Sequence, residues 1–276
     1  MVLEVKNLSK QIRGKQILSN VSFSLEKGEV LALIGPNGAG KTTTIKCIIN
    51  ALKKDEGEVI LFGKPFANEV KTRIAVVPED RKVFRNFTAA DYRSLWQGLY
   101  PAWNDAFFKD FVVRYNFNLN QKVESYSIGQ RTLFLLGLAL SSGAELLLLD
   151  EPTQHLDPTI RNEVIHLINQ YARLGNSLLV SSHEIFELEE YATTFAIIKN
   201  GKVLYTDSID DAKQKHRIIR RGESFKEGEV IGMIHDEILL KTSDDIGMYP
   251  KLNHIVVGYL QGKSADLNLA EDLKEN

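Results

Sequence analysis

The run Gly35-Pro36-Asn37-Gly38-Ala39-Gly40-Lys41-Thr42 constrains this chain more than any other feature. Its spacing, G-x-x-x-x-G-K-[ST], is that of a phosphate-binding loop, and such a loop works only between a buried strand and a helix. Both flanks are present. Val30-Leu31-Ala32-Leu33-Ile34 reads as a buried strand, and residues 43–52 carry helix-like apolar spacing. The glycines let backbone N–H groups curl round an anion with no Cβ in the way. The helix N-terminus turns a positive dipole end toward the phosphates. Lys41 then reaches the β- and γ-phosphates, and the Thr42 hydroxyl ligates Mg²⁺. These residues, with Thr43 at the start of the helix, are candidate contacts to a nucleoside triphosphate. A Gly-rich turn matching by chance is the alternative, and the strand–loop–helix context argues against it.

The bulk numbers exclude several classes. In 276 residues, 34 basic and 36 acidic side chains leave a net charge of −2, so there is no nucleic-acid signature and no nucleic-acid partner is expected. A single cysteine, Cys47, excludes an internal disulfide framework and a multi-cysteine zinc site. The N-terminus, Met1-Val2-Leu3-Glu4, has no basic-then-apolar signal segment. No apolar run approaches the roughly 18–20 residues that span a bilayer. The expectation is a cytosolic chain that reaches a membrane only through a partner.

Residues 3–8, 17–25, 57–62 and 74–77 read as strands, and residues 87–140 as helical. Asn104 is placed to cap a helix with Phe107, Phe108, Phe111 and Tyr115 on one face, a core stripe rather than a ligand platform. Residues 146–149 and 177–181 are short apolar strands. Pro158 opens a helix with Ile160, Val164, Ile165, Leu167 and Ile168 inward. Asn200-Gly201 between two apolar runs is a hairpin signal. A helical insertion at about 85–143 thus interrupts strand–loop–helix units, and a tail follows Asp210. The basic cluster at 213–221 reads as a solvated face.

The segment Leu146-Leu147-Leu148-Leu149-Asp150-Glu151 supplies the second half of a site. An apolar strand delivers Asp150 to its end, where it holds Mg²⁺ through water. Glu151 points differently and polarises the attacking water as general base. Beside an intact phosphate loop, an accidental helix cap is the weaker reading.

With these motifs, residues 1–210 resemble the ATP-binding subunit of ABC transporters. Residues 35–42 match its Walker A motif and 146–151 its Walker B motif. Tyr126-Ser127-Ile128-Gly129-Gln130 is similar to the signature, usually Leu-Ser-Gly-Gly-Gln. Gln154-His155-Leu156-Asp157 resembles the D-loop, His183 stands at the switch histidine, and Pro78-Glu79 at the Q-loop. The resemblance implies an α/β P-loop NTPase cassette: a central mixed sheet, an N-terminal antiparallel β subdomain, an inserted helical subdomain, and a small extension at 211–276. It implies ATP and Mg²⁺ as ligands, hydrolysis of ATP, and a head-to-tail dimer with ATP sandwiched between subunits. Ser127, Gly129 and Gln130 would then meet the γ-phosphate bound on the other subunit. His183 would sense that phosphate, Asp157 would link the two sites, and Thr42, Asp150 and Glu79 would face the metal. The partner would be an integral membrane permease on a separate chain, with this subunit peripheral on the cytoplasmic face. Segments 99–104, 78–80 and 250–260 are similar to ABC-2-type, bacitracin-resistance-like exporters, and by propensity 255–260 reads equally as a strand.

Three positions depart from that pattern. Ile128 replaces the first signature glycine: a β-branched residue resists φ > 0, so the signature is weakened if that glycine's freedom is needed and intact if only the Ser127 and Gly129 contacts matter. Glu79 stands where the family has glutamine and adds negative charge near the phosphates. Ile12 stands where many members stack an aromatic on adenine, and it offers no π-face. An altered signature beside intact Walker motifs allows a homodimer, the reading preferred here, or a heterodimer with a second ATP-binding subunit. The competing classes are a soluble ABC ATPase, for example in iron–sulfur assembly, a GTPase or kinase, and a non-hydrolysing nucleotide binder. A missing Asn-Lys-x-Asp motif speaks against a GTPase, and the retained Glu151 and His183 speak against a non-hydrolysing binder.

Overall fold

A computed structural model describes residues 1–234 and 236–262. The chain opens with a hairpin of β1 (Leu3–Ile12) and β2 (Lys15–Leu25). Arg13 and Gly14 form its turn with φ 51° and 78°, matching the right-handed strand twist that two-residue hairpin turns require. β3 (Val30–Ile34) runs into the phosphate loop and α1 (Lys41–Ile48). β4 (Glu56–Leu61), β5 (Lys64–Pro65) and α2 (Asn68–Lys71) follow, then β6 (Ile74–Val77). β2-β1-β4-β5 make an antiparallel sheet, the expected N-terminal β layer.

The helical insertion holds α3 (Ala89–Leu99), α4 (Asp105–Arg114) and α5 (Ile128–Ser141). Thr88 and Asp91 form a capping box on α3, and the Asn104 side chain accepts from the Phe107 N–H on α4, as its sequence position predicts. The aromatic stripe is only partly core: Phe108 and Phe111 are buried, whereas Phe107 is exposed.

β7 (Leu146–Asp150), α6 (Pro158–Arg173), β8 (Ser177–Ser182), α7 (Ile185–Leu188), β9 (Thr194–Lys199) and β10 (Lys202–Ser208) complete the central layer. Its strand order is β10-β9-β3-β8-β7-β6, parallel except for the antiparallel edge strand β10. The parallel strands β3, β7 and β8 are buried along their whole length, which is why their centres, 30–34, 146–149 and 178–180, read as apolar runs. Asn200 and Gly201 both take positive φ in the β9–β10 turn, as the hairpin signal requires. Gly201 also comes so close to β2 that a Cβ would lie 2.1 Å from the Ile17 carbonyl oxygen.

Beyond β10 lie α8 (Ile209–Lys215), β11 (His216–Arg220), β12 (Glu229–Ile234), β13 (Glu237–Lys241) and α9 (Leu252–Gln261). The segment 255–260 is therefore helical, not a strand: Leu252, Ile255 and Val256 recur at helical spacing and pack into the central core with Phe195 and Ile209. The basic cluster at 213–221 is not one solvated face either. Arg217 is buried, donates to the Gln214 and His216 carbonyls, and lies 4.0 Å over the Tyr249 ring. No helix among the described residues is long and apolar enough to cross a membrane.

Candidate functional site

The phosphate loop is held from three sides. The Gly35 N–H donates to the Ser182 carbonyl at the end of β8, and the Gly201 N–H donates to the Ala39 carbonyl. Gly40 takes φ 112° as the N-cap of α1, a conformation and a closeness to Leu18 that exclude a side chain. No side chain caps α1, so its first N–H groups face the loop's concavity, as an anion site requires. The loop and Thr43 line a cleft of about 370 Å³ together with Lys15, Ile17, Glu79 and Glu151.

Lys41 is almost fully buried. Its Nζ donates to the Gly35 carbonyl at 2.6 Å and lies 2.9 Å from Glu151 Oε1. Glu151 follows β7 in a left-handed conformation, φ 47°, a strain of about 1 kcal/mol for a residue with a Cβ. Its N–H donates to Ser181 Oγ at 3.0 Å, which fixes the turn. That turn separates the two carboxylates of the pair. Asp150 Oδ1 accepts from Ser181 Oγ at 2.6 Å, while Glu151 swings back toward the loop. Glu151 Oε2 lies 2.8 Å from His183 Nδ1, within hydrogen-bond distance, so a proton on that nitrogen would bridge the ring to the carboxylate. Lys41, Glu151 and His183 thus form one continuous polar chain, with Glu151 only 4% exposed.

Glu79 leaves β6 in a turn and accepts from Thr42 Oγ1 at 3.0 Å. Burial pushes the Asp150 carboxyl above the usual range, Ser181 and Thr42 lower it, and Glu79 and Glu151 raise it again. Glu79, Asp150 and Thr42 therefore meet, as their assignment to a metal requires. Ile12 does not line the cleft; it is exposed at the end of β1, and Ile17 and Lys15 stand there instead.

Ser127, Gly129 and Gln130 lie outside that cleft, at the N-terminus of α5. Ser127 is the N-cap, and Ser127 and Gln130 close a capping box. Gly129 packs so tightly on α6 that a Cβ would come within 3.3 Å of Ile160. Asp157 caps α6, accepting from the Thr159 and Ile160 N–H groups. Ile128 is the first residue of α5 and is not among the positive-φ residues. The expected backbone difficulty at this position therefore does not arise: a helix start accepts a β-branched residue, and the side chain, 54% exposed, points outward. Ile128→Gly is expected to lower stability by up to about 1 kcal/mol, since glycine is the poorer helix residue. A denaturant midpoint higher than wild type would show that Ile128 is strained after all.

Sequence reasoning missed Arg81 and Ser181. Arg81 is 6% exposed, and its guanidinium donates to the carbonyls of Glu79, Glu151, Pro152 and Gln154. Burial pushes its pKa down, while Glu79, Glu151 and Asp150 pull it back up. A charged run, Glu79-Asp80-Arg81-Lys82, gives no sign of which member turns inward. Ser181 had a faint signal, as a polar residue ending an apolar strand, but only the β7–β8 register sets it opposite Asp150.

Comparisons with known proteins bear on the family and the fold. Residues 18–154 match the family described as ABC transporter. The Bacillus subtilis protein named uncharacterized ABC transporter ATP-binding protein YhcH is 34% identical over 221 residues, 76% of this chain and 71% of that protein. The SkfA peptide export ATP-binding protein SkfE of the same organism is 31% identical over 229 residues, 79% of this chain and 96% of that protein. A solved ATP-binding subunit of an ABC transporter superposes with a TM-score of 0.71 at 27% identity, covering 77% of this chain and 92% of the other. A dimeric cassette bound to ADP and Pi, at 21% identity and TM-score 0.65, shares the fold.

Proposed function

This chain belongs to the ABC transporter ATP-binding family and is an ATP-hydrolysing subunit of such a transporter, and from that premise we propose a head-to-tail homodimer that drives a separate membrane permease in export. One observation carries the reading: a single buried carboxylate, Glu151, bridges the phosphate-loop lysine and His183. When phosphates enter the loop, Lys41 exchanges Glu151 and carbonyl oxygens for phosphate oxygens. Glu151 Oε1 is then released to take a proton from the attacking water, while His183 holds Oε2 and fixes the carboxylate's direction.

The residues present fit Mg²⁺. Thr42 Oγ1 and Glu79 Oε2 are 3.0 Å apart with Asp150 beside them. A few oxygen donors suit Mg²⁺, which keeps waters and substrate phosphates among its ligands. Bound there, it would neutralise charge developing on the phosphates.

Ser127, Gly129 and Gln130 form a capped helix start that does not line their own subunit's cleft. This supports the signature acting on a second subunit's nucleotide, with Asp157 at the same interface. We assign 1–210 to the cassette and 211–276 to its extension. The subunit would sit on the cytoplasmic face, recovered with membranes only when the permease is present. Export is favoured by relatives named for SkfA peptide export and lantibiotic transport. Two sites shared between two copies predict that ATPase activity per mole of purified chain rises with protein concentration. Activity independent of concentration down to the nanomolar range would contradict the shared-site dimer.

A further inference from the structure

We propose that Arg81 is a positioning residue: a buried cation that clips the turn carrying Glu79 to segment 151–154 and balances the carboxylate that Glu79 adds beside Asp150 and Glu151. The inference rests on the ATPase reading above.

The turn Pro78-Glu79-Asp80-Arg81 closes through an Arg81 N–H bond to the Pro78 carbonyl, and Arg81 takes φ 45°. This conformation sends the side chain inward. Nη1 donates to the Glu79 carbonyl at 2.8 Å. Nη2 donates to the carbonyls of Glu151 at 2.9 Å, Gln154 at 3.2 Å and Pro152 at 3.3 Å. One planar group thus ties the backbone of the residue facing Thr42 to the backbone of the candidate general base. Without it, the carbonyls of Glu151 and Pro152 lose a donor where water has little access.

Charge gives the second argument. Glu79 and Glu151 both line the cleft, and Asp150 ends β7 directly before Glu151. Lys41 pairs with Glu151, and the Arg81 guanidinium donates to the backbone carbonyls of both glutamates, so these two cations lie beside the carboxylates. Phosphates entering the loop engage Lys41, whereas Arg81, enclosed by carbonyls, stays. It is therefore the side-chain counter-charge that remains in place, beside any metal that arrives with the nucleotide, and it helps to make a glutamate tolerable at position 79. A rearrangement of the 78–81 turn would be carried by the same side chain to the Glu151 backbone.

The test is steady-state Mg-ATP hydrolysis by the full chain as wild type, Arg81→Met, Glu79→Gln and the double variant, with Arg81→Lys as a charge-retaining control. Arg81→Met is expected to lower kcat roughly 10–100-fold, as small displacements of catalytic groups do, with KM for ATP within about threefold. The lysine variant recovers part of that loss. In the Glu79→Gln background the penalty of Arg81→Met shrinks by about threefold or more, because the charge to be balanced is gone. Amide hydrogen exchange at 151–157 quickens in Arg81→Met. An equal kcat loss in both backgrounds, or unchanged exchange at 151–157, overturns the proposal; a merely structural staple gives the first of these. If Arg81→Met does not fold, Arg81→Gln, which also removes the charge, is compared in the same two backgrounds and yields the same opposed outcomes. Wild-type turnover reports on the ATPase reading itself, and the comparison between backgrounds reports on Arg81 alone.

Discussion

A Glu151→Gln chain is expected to bind ATP, hold it and barely turn it over. Steady-state hydrolysis should fall roughly 10²–10⁴-fold, the usual contribution of a positioned general base. The reason is geometric. Glu151 Oε1 lies 2.9 Å from Lys41 Nζ and Oε2 lies 2.8 Å from His183 Nδ1, inside a cleft also lined by the phosphate loop. Glutamine keeps the volume and one acceptor oxygen, so the side chain still fits between the two partners. It cannot take a proton from water. Nothing in the loop changes, so nucleotide affinity should stay within about threefold of wild type. The stalled ATP state should then accumulate as a dimer, visible by light scattering as a doubling of mass on adding Mg-ATP. Wild-type turnover would remove Glu151 from the catalytic role. A variant that stays monomeric with saturating ATP would leave the hydrolytic reading intact and sink the shared-site dimer.

Lys41→Ala should act twice, and the two effects can be separated. Removing the ammonium takes a charged donor from the phosphates, a loss of about 1.5–3 kcal/mol that weakens ATP binding at least roughly tenfold by calorimetric titration. It also leaves Glu151, which is 4% exposed, without its lysine partner and with His183 on its other oxygen. Breaking a buried pair from one side costs about 3–5 kcal/mol, so the variant should unfold at lower denaturant even without nucleotide. The stability loss should shrink when Glu151 is also Gln, since the stranded charge is then gone, whereas the binding loss should persist. Equal stability losses in the two backgrounds would mean that the Lys41–Glu151 contact contributes nothing to the fold.

Much of the site was legible because its chemistry is local. Residues 35–42 carry their own geometry: Gly40 must be free to take φ 112°, and Lys41 and Thr42 sit on the first turn of the helix that follows. The apolar run at 146–149 announces a strand buried on both faces, and it delivers Asp150 to a predictable end. The start of α5 reads only as part of the signature, and the structure adds that Ser127 and Gln130 close a capping box there. At Ile128 the sequence leaves two readings open, a strained backbone or a tolerated substitution, and the backbone favours the second. A glycine usually found there suggested a special φ, but a position inside a capped helix start needs none. The strand reading of 255–260 failed because a short apolar run fits both periods; α9 is a helix because its apolar positions face β9 and β12.

What the sequence determined by itself is the ligand class, the loop that grips it, and the order of strands and helices, all encoded by neighbours a few residues apart. Tertiary structure decided which distant groups meet. Pairing β7 with β8 put Ser181 against Asp150 and Glu151 and brought His183 to the Glu151 carboxylate. A left-handed turn at Glu151 aimed that carboxylate at Lys41, and another at Arg81 sent a surface-like charged residue into the interior. The physical reason is that a charge is buried only where donors and acceptors from several segments converge to satisfy it, and that convergence is a property of the folded chain rather than of any window of its sequence.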